Sequence, residues 1–258
     1  MSPSSGARAV VASIGCTDPW NAAGVGLDCR ALADCGVRAV TAIAGVTAQD
    51  ARGLHVAAAV APELLAAQLA ALADAGIGAY RIGALLDVAT VELVAAHVRA
   101  SGIAAVYDPV FAASGGGSFV TEAVARAIAR ELVPHVALVT PNLAEAGRLT
   151  GEPEPADVAS MERAARTLVA RGAAAALVKG GHLRGAAIDV LVDAEGTTIY
   201  EADRIAGTLR GSGCLLACGV AAWLARGARL REAVERARAF VRERFAGATE
   251  FGGMRVAY

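Results

Sequence analysis

Aromatic residues make up only 4% of this 258-residue chain, cysteine occurs five times, and the formal net charge is only −1. Each scarcity excludes a class of protein. Lys plus Arg number 24 against 25 Asp plus Glu, with both signs interspersed. That leaves neither the basic footprint that nucleic acid requires nor a polybasic face for a membrane surface. The longest uncharged apolar runs fall short of the roughly 20 residues that span a bilayer. The apolar stretch from Ala9 to Ile14 is too short for the core of a signal peptide. The cysteines (Cys16, Cys29, Cys35, Cys214 and Cys218) are odd in number and form no C-x-x-C pair. They imply reduced thiols in a cytoplasmic protein, with no disulfide framework and no zinc site. The phosphate-loop pattern G-x-x-x-x-G-K-[ST] does not occur, and no G-x-G-x-x-G follows the first apolar run.

What the chain does have is small apolar residues: it is 55% hydrophobic, with 29 glycines. That supply makes a large core easy to build, and the length suits one α/β domain over residues 1–258. Apolar β-type runs are expected at Ala7–Gly15, Val37–Val46, Ala79–Gly83, Ile103–Tyr107, Val136–Val139 and Ala174–Val178. Helical patterns separate them at Gly24–Asp34, Pro62–Asp74, Val88–Ala100, Thr121–Glu131, Leu143–Leu149 and Ala156–Arg171. Ile188–Val192 and Thr197–Tyr200 flank the turn Asp193-Ala194-Glu195-Gly196 as a hairpin. Helices at Ser212–Arg226 and Leu230–Phe245 close the chain. Such alternation implies right-handed crossovers and a mostly parallel sheet covered on both faces.

In sheets of that kind ligands gather beyond the carboxyl ends of the strands. Asp18, Asp28, Gln49, Asp108, Asn142, Glu145, Lys179 and the stretch Gly211-Ser212-Gly213-Cys214 all fall there. Most of them carry two readings. Asp108 either starts a turn before Pro109 or holds Mg²⁺. Asn142 and Glu145 have the spacing of a capping box, a role compatible with a nearby metal. Lys179, beside Gly180 and Gly181, is either a solvated turn residue or a point charge for a nucleotide phosphate; His182 reads as structural. Glycines ahead of a helix let backbone N–H groups cradle an anion, and a thiol on that first turn should have its pKa drawn down. The alternative for Cys214 is a buried small hydrophobe behind a Gly/Ser cap. The tract Gly115–Gly117 reads as a flap or turn.

Taken in order, several segments resemble the hydroxymethylpyrimidine and phosphomethylpyrimidine kinases of thiamine biosynthesis, in the ribokinase-like superfamily. They are Thr17-Asp18-Pro19 with Ala23-Gly24 and Asp28, Thr41-Ala42 through Thr47-Ala48-Gln49, Asp108-Pro109-Val110, Thr140-Pro141-Asn142-Leu143-Ala144-Glu145-Ala146 with Leu149-Thr150-Gly151, Val178-Lys179-Gly180-Gly181-His182, and Gly211-Ser212-Gly213-Cys214. The resemblance implies a three-layer αβα sandwich, a homodimer, ATP and Mg²⁺ as cofactors, and a small pyrimidine alcohol as substrate. It makes Cys214 the catalytic base and Gly211, Ser212 and Gly213 the anion hole. Lys179, Asn142 and Thr208 would contact the nucleotide, and Asp108 and Glu145 would organise the metal. Gln49, Asp28, Ala23, Val110, Ala84 and Cys16 would line the acceptor pocket.

The chain also departs from that pattern. Cys16 stands where the family usually has Gly, Asn21-Ala22 where it has Gly-Gly, and Ala84 where Met is common. Ala113-Ser114-Gly115-Gly116-Gly117 replaces Ala-Lys-Ser-Gly-Asp, so a lysine and an acidic residue are missing. Ser212 replaces Thr, and Leu209-Arg210 replaces Thr-His. The donor side therefore reads as intact and the acceptor side as altered, with Ala84 leaving room for a larger ring substituent. The expected activity is ATP-dependent phosphorylation of 4-amino-5-hydroxymethyl-2-methylpyrimidine and its monophosphate. The alternatives are a pyridoxal-type vitamin kinase and a non-catalytic pyrimidine-binding regulatory protein.

Overall fold

A computed structural model of the protein describes residues 8–112, 116–181 and 185–258. His182, part of the Gly115–Gly117 tract and most of the altered Ala113–Gly117 loop fall outside the described residues. Among the described residues, eleven strands and eight α-helices alternate along most of the chain. The strands are β1 (Val10–Cys16), β2 (Arg38–Asp50), β3 (Gly53–Ala59), β4 (Ile77–Ile82), β5 (Ala105–Tyr107), β6 (Leu138–Val139), β7 (Ala176–Lys179), β8 (Ala187–Asp193), β9 (Gly196–Ala202), β10 (Thr249–Phe251) and β11 (Met254–Val256). The helices are α1 (Gly24–Asp34), α2 (Pro62–Ala71), α3 (Val88–Ser101), α4 (Glu122–Ala127), α5 (Leu143–Thr150), α6 (Val158–Ala170), α7 (Ser212–Ala225) and α8 (Leu230–Ala246).

Nine strands form one sheet in the order β3-β2-β1-β4-β5-β6-β7-β8-β9. The run from β2 to β7 is parallel, and antiparallel strands β3, β8 and β9 finish the two edges. Side chains alternate across a strand, and here the alternation divides the core in two. Ala12, Ile14, Tyr80, Ile82, Ala105, Tyr107, Ala176 and Val178 pack with Leu65, Val91 and Leu168 on one face. Val11, Ala79, Val106 and Leu177 pack with Leu27, Leu215 and Val220 on the other. One cluster lies under α2, α3 and α6, and the other under α1, α7 and α8, which makes three layers.

Two hairpins depart from the sequence reading. β2 runs past Val46 to Asp50 and turns back into β3, a segment without the alternation that marks a half-buried strand. The turn is fastened locally: Asp50 Oδ1 accepts from Arg52 N at 2.8 Å and Oδ2 from the Arg52 guanidinium at 2.7 Å. The second, β10–β11, turns at Gly252-Gly253 and packs on Trp20, whose ring stacks edge-on to Phe251 at 5.3 Å. Helix α4 is shorter than expected and passes into a single π-type turn at Ile128–Leu132 just before Pro134.

Helix α7 packs closely on α8 at Gly219. A Cβ built at Gly219 would lie 2.8 Å from the Ala237 Cβ and 3.0 Å from its Cα, so no larger side chain fits without moving a helix. The variant Gly219→Val is therefore expected to lose about 1–3 kcal/mol of stability. In a thermal melt this reads as a fall in Tm of roughly 2–12 °C.

Candidate active site

The carboxyl ends of β1, β2, β4, β5, β6 and β7, together with the start of α7, surround a cleft of about 1160 Å³. Its floor is a chain of buried charges. Lys179, the last residue of β7, places Nζ 2.8 Å from Asp108 Oδ1, just beyond β5. Thr140 donates to the same oxygen at 3.2 Å. Asp108 Oδ2 lies 3.3 Å from Arg81 NH2, and Arg81 NH1 lies 3.2 Å from Asp28 Oδ2. Asp28 also accepts from Ser13 Oγ at 2.5 Å and from Cys218 Sγ at 3.2 Å. Charges this deep persist only when paired and hydrogen-bonded. Burial opposes ionisation of Asp108, but Lys179 and Arg81, with the bonds from Lys179 and Thr140, outweigh it and hold the carboxyl below its ordinary range. Lys179, the only lysine in the sequence, is likewise opposed by burial, yet Asp108 and Glu145 keep it more firmly protonated than usual.

Room for Arg81 comes from a glycine. A Cβ at Gly83 would stand 2.1 Å from Arg81 NH1, against the fully buried guanidinium. Arg81 lines the cleft, and sequence reasoning passed over it. The available signal was an arginine inside the apolar strand Ala79-Tyr80-Arg81-Ile82, where burial demands carboxylate partners. Asp28 is a correction of the opposite kind. Expected to line the acceptor pocket, it is 0% exposed and lies beneath the cleft as the far end of the charge chain.

Of the other residues singled out from the sequence, Cys16, Ala23, Gln49, Ala84, Asp108, Val110, Asn142, Glu145, Lys179, Thr208, Gly211, Ser212, Gly213 and Cys214 line the cleft, whereas Asp18 is buried and does not. The capping box forms, with Glu145 N donating to Asn142 Oδ1 at 2.9 Å and Asn142 N donating to Glu145 Oε2 at 2.8 Å. Glu145 Oε1 has only a long contact from Phe111 N at 3.5 Å. Burial, reinforced by Asp108 and opposed by Lys179, lifts the Glu145 carboxyl to about 7. Cys16 Sγ lies 3.4 Å from the Ala84 carbonyl, so part of the space expected at Ala84 is taken by sulfur.

Helix α7 opens at Gly211, whose φ of 77° is left-handed. A Cβ there would lie 2.4 Å from the Ala22 carbonyl oxygen, so only glycine fits the turn. Ser212 N bonds to Leu209 O and Leu215 N to Gly211 O, while the Gly213 and Cys214 N–H groups have no acceptor within the helix. Gly213 packs directly over the ion pair, its Cβ position lying 3.0 Å from Lys179 Nζ and 3.5 Å from the Asp108 carboxylate oxygens. A helix N-terminus and an ammonium thus meet at one point, an arrangement suited to an anion. The thiol differs from expectation. Burial pushes Cys214 up to about 11, against the pull of Arg81 and of a hydrogen bond from the Gly24 backbone. The helix end does not make it a ready thiolate.

The chain is similar to known proteins over nearly its whole length. Residues 18–257 match the family model described as phosphomethylpyrimidine kinase. The hydroxymethylpyrimidine/phosphomethylpyrimidine kinase of Rhizobium meliloti (strain 1021) is 36% identical over 236 residues, 90% of this chain and 89% of that one. The enzyme of the same description from Streptomyces coelicolor is 31% identical over 246 residues, covering 95% and 91%. Among solved structures, an ADP complex of Bacillus subtilis pyridoxal kinase superposes with a TM-score of 0.90 at 28% identity, covering 97% of each chain. The fold is ribokinase-like, as the motifs implied. With the match running over nearly the whole length and the motif residues gathered in one cleft, the chain belongs to the phosphomethylpyrimidine kinase family.

Proposed function

We propose that the protein transfers the γ-phosphoryl group of ATP to the hydroxymethyl group of 4-amino-5-hydroxymethyl-2-methylpyrimidine and then to the resulting monophosphate. The observation that carries this reading is the meeting of Gly213 with the Lys179–Asp108 pair, in the cleft that also holds Gln49 and Cys214. Phosphoryl transfer asks for positioning and charge neutralisation more than for covalent chemistry. Lys179 neutralises phosphate charge, and the open Gly213 and Cys214 amides face the migrating group. Each well-aimed donor of this kind is worth about 10²–10³ in rate. Gln49 holds the heterocycle so that its hydroxymethyl group faces Cys214.

The residues also fit a divalent cation arriving with the nucleotide. Both Asp108 oxygens are already engaged, while Glu145 Oε1 has no strong partner. A Mg²⁺ ion retains several waters and takes one or two carboxylates together with phosphate oxygens, so Glu145 would hold it, with Asp108 reached through water. When bound, the metal would supply charge neutralisation between the phosphates.

Cys214 takes the substrate hydroxyl proton in this reading. Only its thiolate can accept that proton, and with the thiol raised to about 11 the thiolate is the minor form at neutral pH. A loose transition state requires little nucleophile deprotonation early on, so the transfer comes late. A second reading, a pyridoxal-type kinase, is favoured by the superposition on the Bacillus subtilis enzyme.

An ADP-release assay over hydroxymethyl heterocycles decides between the two: turnover of the aminopyrimidine is expected to exceed that of pyridoxine, and silence with every pyrimidine would sink the substrate assignment. Cys214→Ala is expected to lower kcat by roughly 10²–10⁴. With the Cys214 thiol at about 11, wild-type kcat/KM should climb steadily from neutral pH into the alkaline range. Cys214→Asp, whose carboxylate is already ionised at neutral pH, should flatten that climb. For Glu145 the folded state favours the proton, so its contribution to stability is full below the unfolded value near 4.5 and is lost as pH rises through about 7. Across that window, wild type should lose about 3 kcal/mol relative to Glu145→Gln, seen as diverging Tm values between pH 5 and 8.

A further inference from the structure

The amide of Gln49 is held at both ends by groups that leave it one orientation. Its Nε2 donates to Thr47 Oγ1 at 2.9 Å, and the Thr47 hydroxyl donates in turn to the Thr17 carbonyl at 2.7 Å. A hydroxyl has a single hydrogen. With that hydrogen committed to Thr17, Thr47 can only accept from Gln49. At the other end Arg210 NH2 donates to Gln49 Oε1 at 2.8 Å, and a guanidinium has no acceptor to offer. Oxygen therefore faces Arg210 and nitrogen faces Thr47.

Arg210 is fixed from several sides. Its NH1 donates to the Asp50 carbonyl at 3.1 Å, and its backbone N–H donates to the Arg255 carbonyl in β11 at 3.0 Å. Its Nε lies 3.8 Å from Asp18 Oδ2, and both atoms are buried without a hydrogen-bond partner. Asp18 thus offsets the charge of the guanidinium without drawing it away from Gln49. Gln49 and Arg210 line the cleft, and the amide retains one oxygen lone pair and one N–H for a ligand.

We propose that Arg210 is a specificity-positioning residue: by locking the Gln49 amide together with Thr47, it makes the pocket select a ring edge that presents an amino donor beside a ring-nitrogen acceptor. The 4-oxo counterpart presents the reverse order, an N–H beside a carbonyl, and cannot be matched by an amide that does not flip. The inference rests on the assignment of the pocket to an aminopyrimidine.

The test is calorimetric binding of 4-amino-5-hydroxymethyl-2-methylpyrimidine and of its 4-oxo counterpart to the full-length protein. Wild type is expected to favour the amino compound by about 50-fold, the cost of mismatching two buried polar contacts. Arg210→Met should reduce that ratio to about 5-fold or less, and Arg210→Lys, which can still donate to Oε1, should retain an intermediate value. A merely structural role for Arg210 would weaken both ligands equally, so an unchanged ratio in Arg210→Met overturns the proposal. Thr47→Val frees the other end of the amide and should give the same fall; it serves where Arg210→Met does not fold, and an unchanged ratio there is equally decisive. Wild type binding both compounds alike overturns the lock and leaves the kinase assignment standing. Wild type binding neither overturns the pyrimidine assignment and the lock together.

Discussion

Four side chains of alternating sign, Lys179, Asp108, Arg81 and Asp28, run from the cleft into the protein and tie β7, β5, β4 and α1 to one another. Each interior member is held by two neighbours, so none can be removed without leaving a buried charge exposed to an apolar surrounding. Removing one partner of such a pair typically costs about 3–5 kcal/mol. The chain makes the floor of the cleft rigid where phosphoryl chemistry needs fixed charges, and it restricts what can surround it. Gly83 must lack a side chain for Arg81 to lie where it does, and a side chain at Gly213 would crowd Lys179 beneath α7. The glycines at the rim are thus a consequence of the charges at the floor.

Much of this was legible in the sequence, because the rule that ligands meet the carboxyl ends of parallel strands converts a list of strands into a list of candidates. Asp108, Asn142, Lys179 and Cys214 each follow or precede an obvious element, and the structure brings them into one cleft. Arg81 was missed because it sits inside a strand, and its partners come from segments distant in the chain. Asp28 was misplaced for a related reason: the helical pattern of α1 shows that a residue is buried, but not whether it faces the cleft or the layer beneath. The thiol pKa went the other way because a helix end is a local feature, whereas the desolvation that raises Cys214 comes from the whole α7 interface. The hairpins β2–β3 and β10–β11 carry little hydrophobic periodicity, and their turns depend on side-chain bonds and on packing against Trp20.

The two ends of the cleft are held by different interactions. One end holds the Lys179–Asp108 pair, Glu145 and the start of α7. In the same cleft as Gln49 the chain has Cys16, Ala84 and Arg210. Cys16 packs toward Ala84, and Arg210 reaches across to the end of β2. Strand β11 takes part as well, its Arg255 carbonyl accepting from the Arg210 backbone N–H. Gly253, Met254 and Arg255 of the β10–β11 hairpin thereby join the wall of the cleft.

Lys179 is the only lysine in a chain rich in arginine. Arginine is the cation elsewhere in the chain, and at the end of β7 a compact ammonium lies between Asp108 and Gly213. The single lysine side chain of the sequence therefore lies in the cleft. Acyl donors, aldehydes and amine-directed cross-linkers, which on most proteins scatter over dozens of harmless positions, have here a single side-chain target, and reaction at it erases the charge on which the cleft is built.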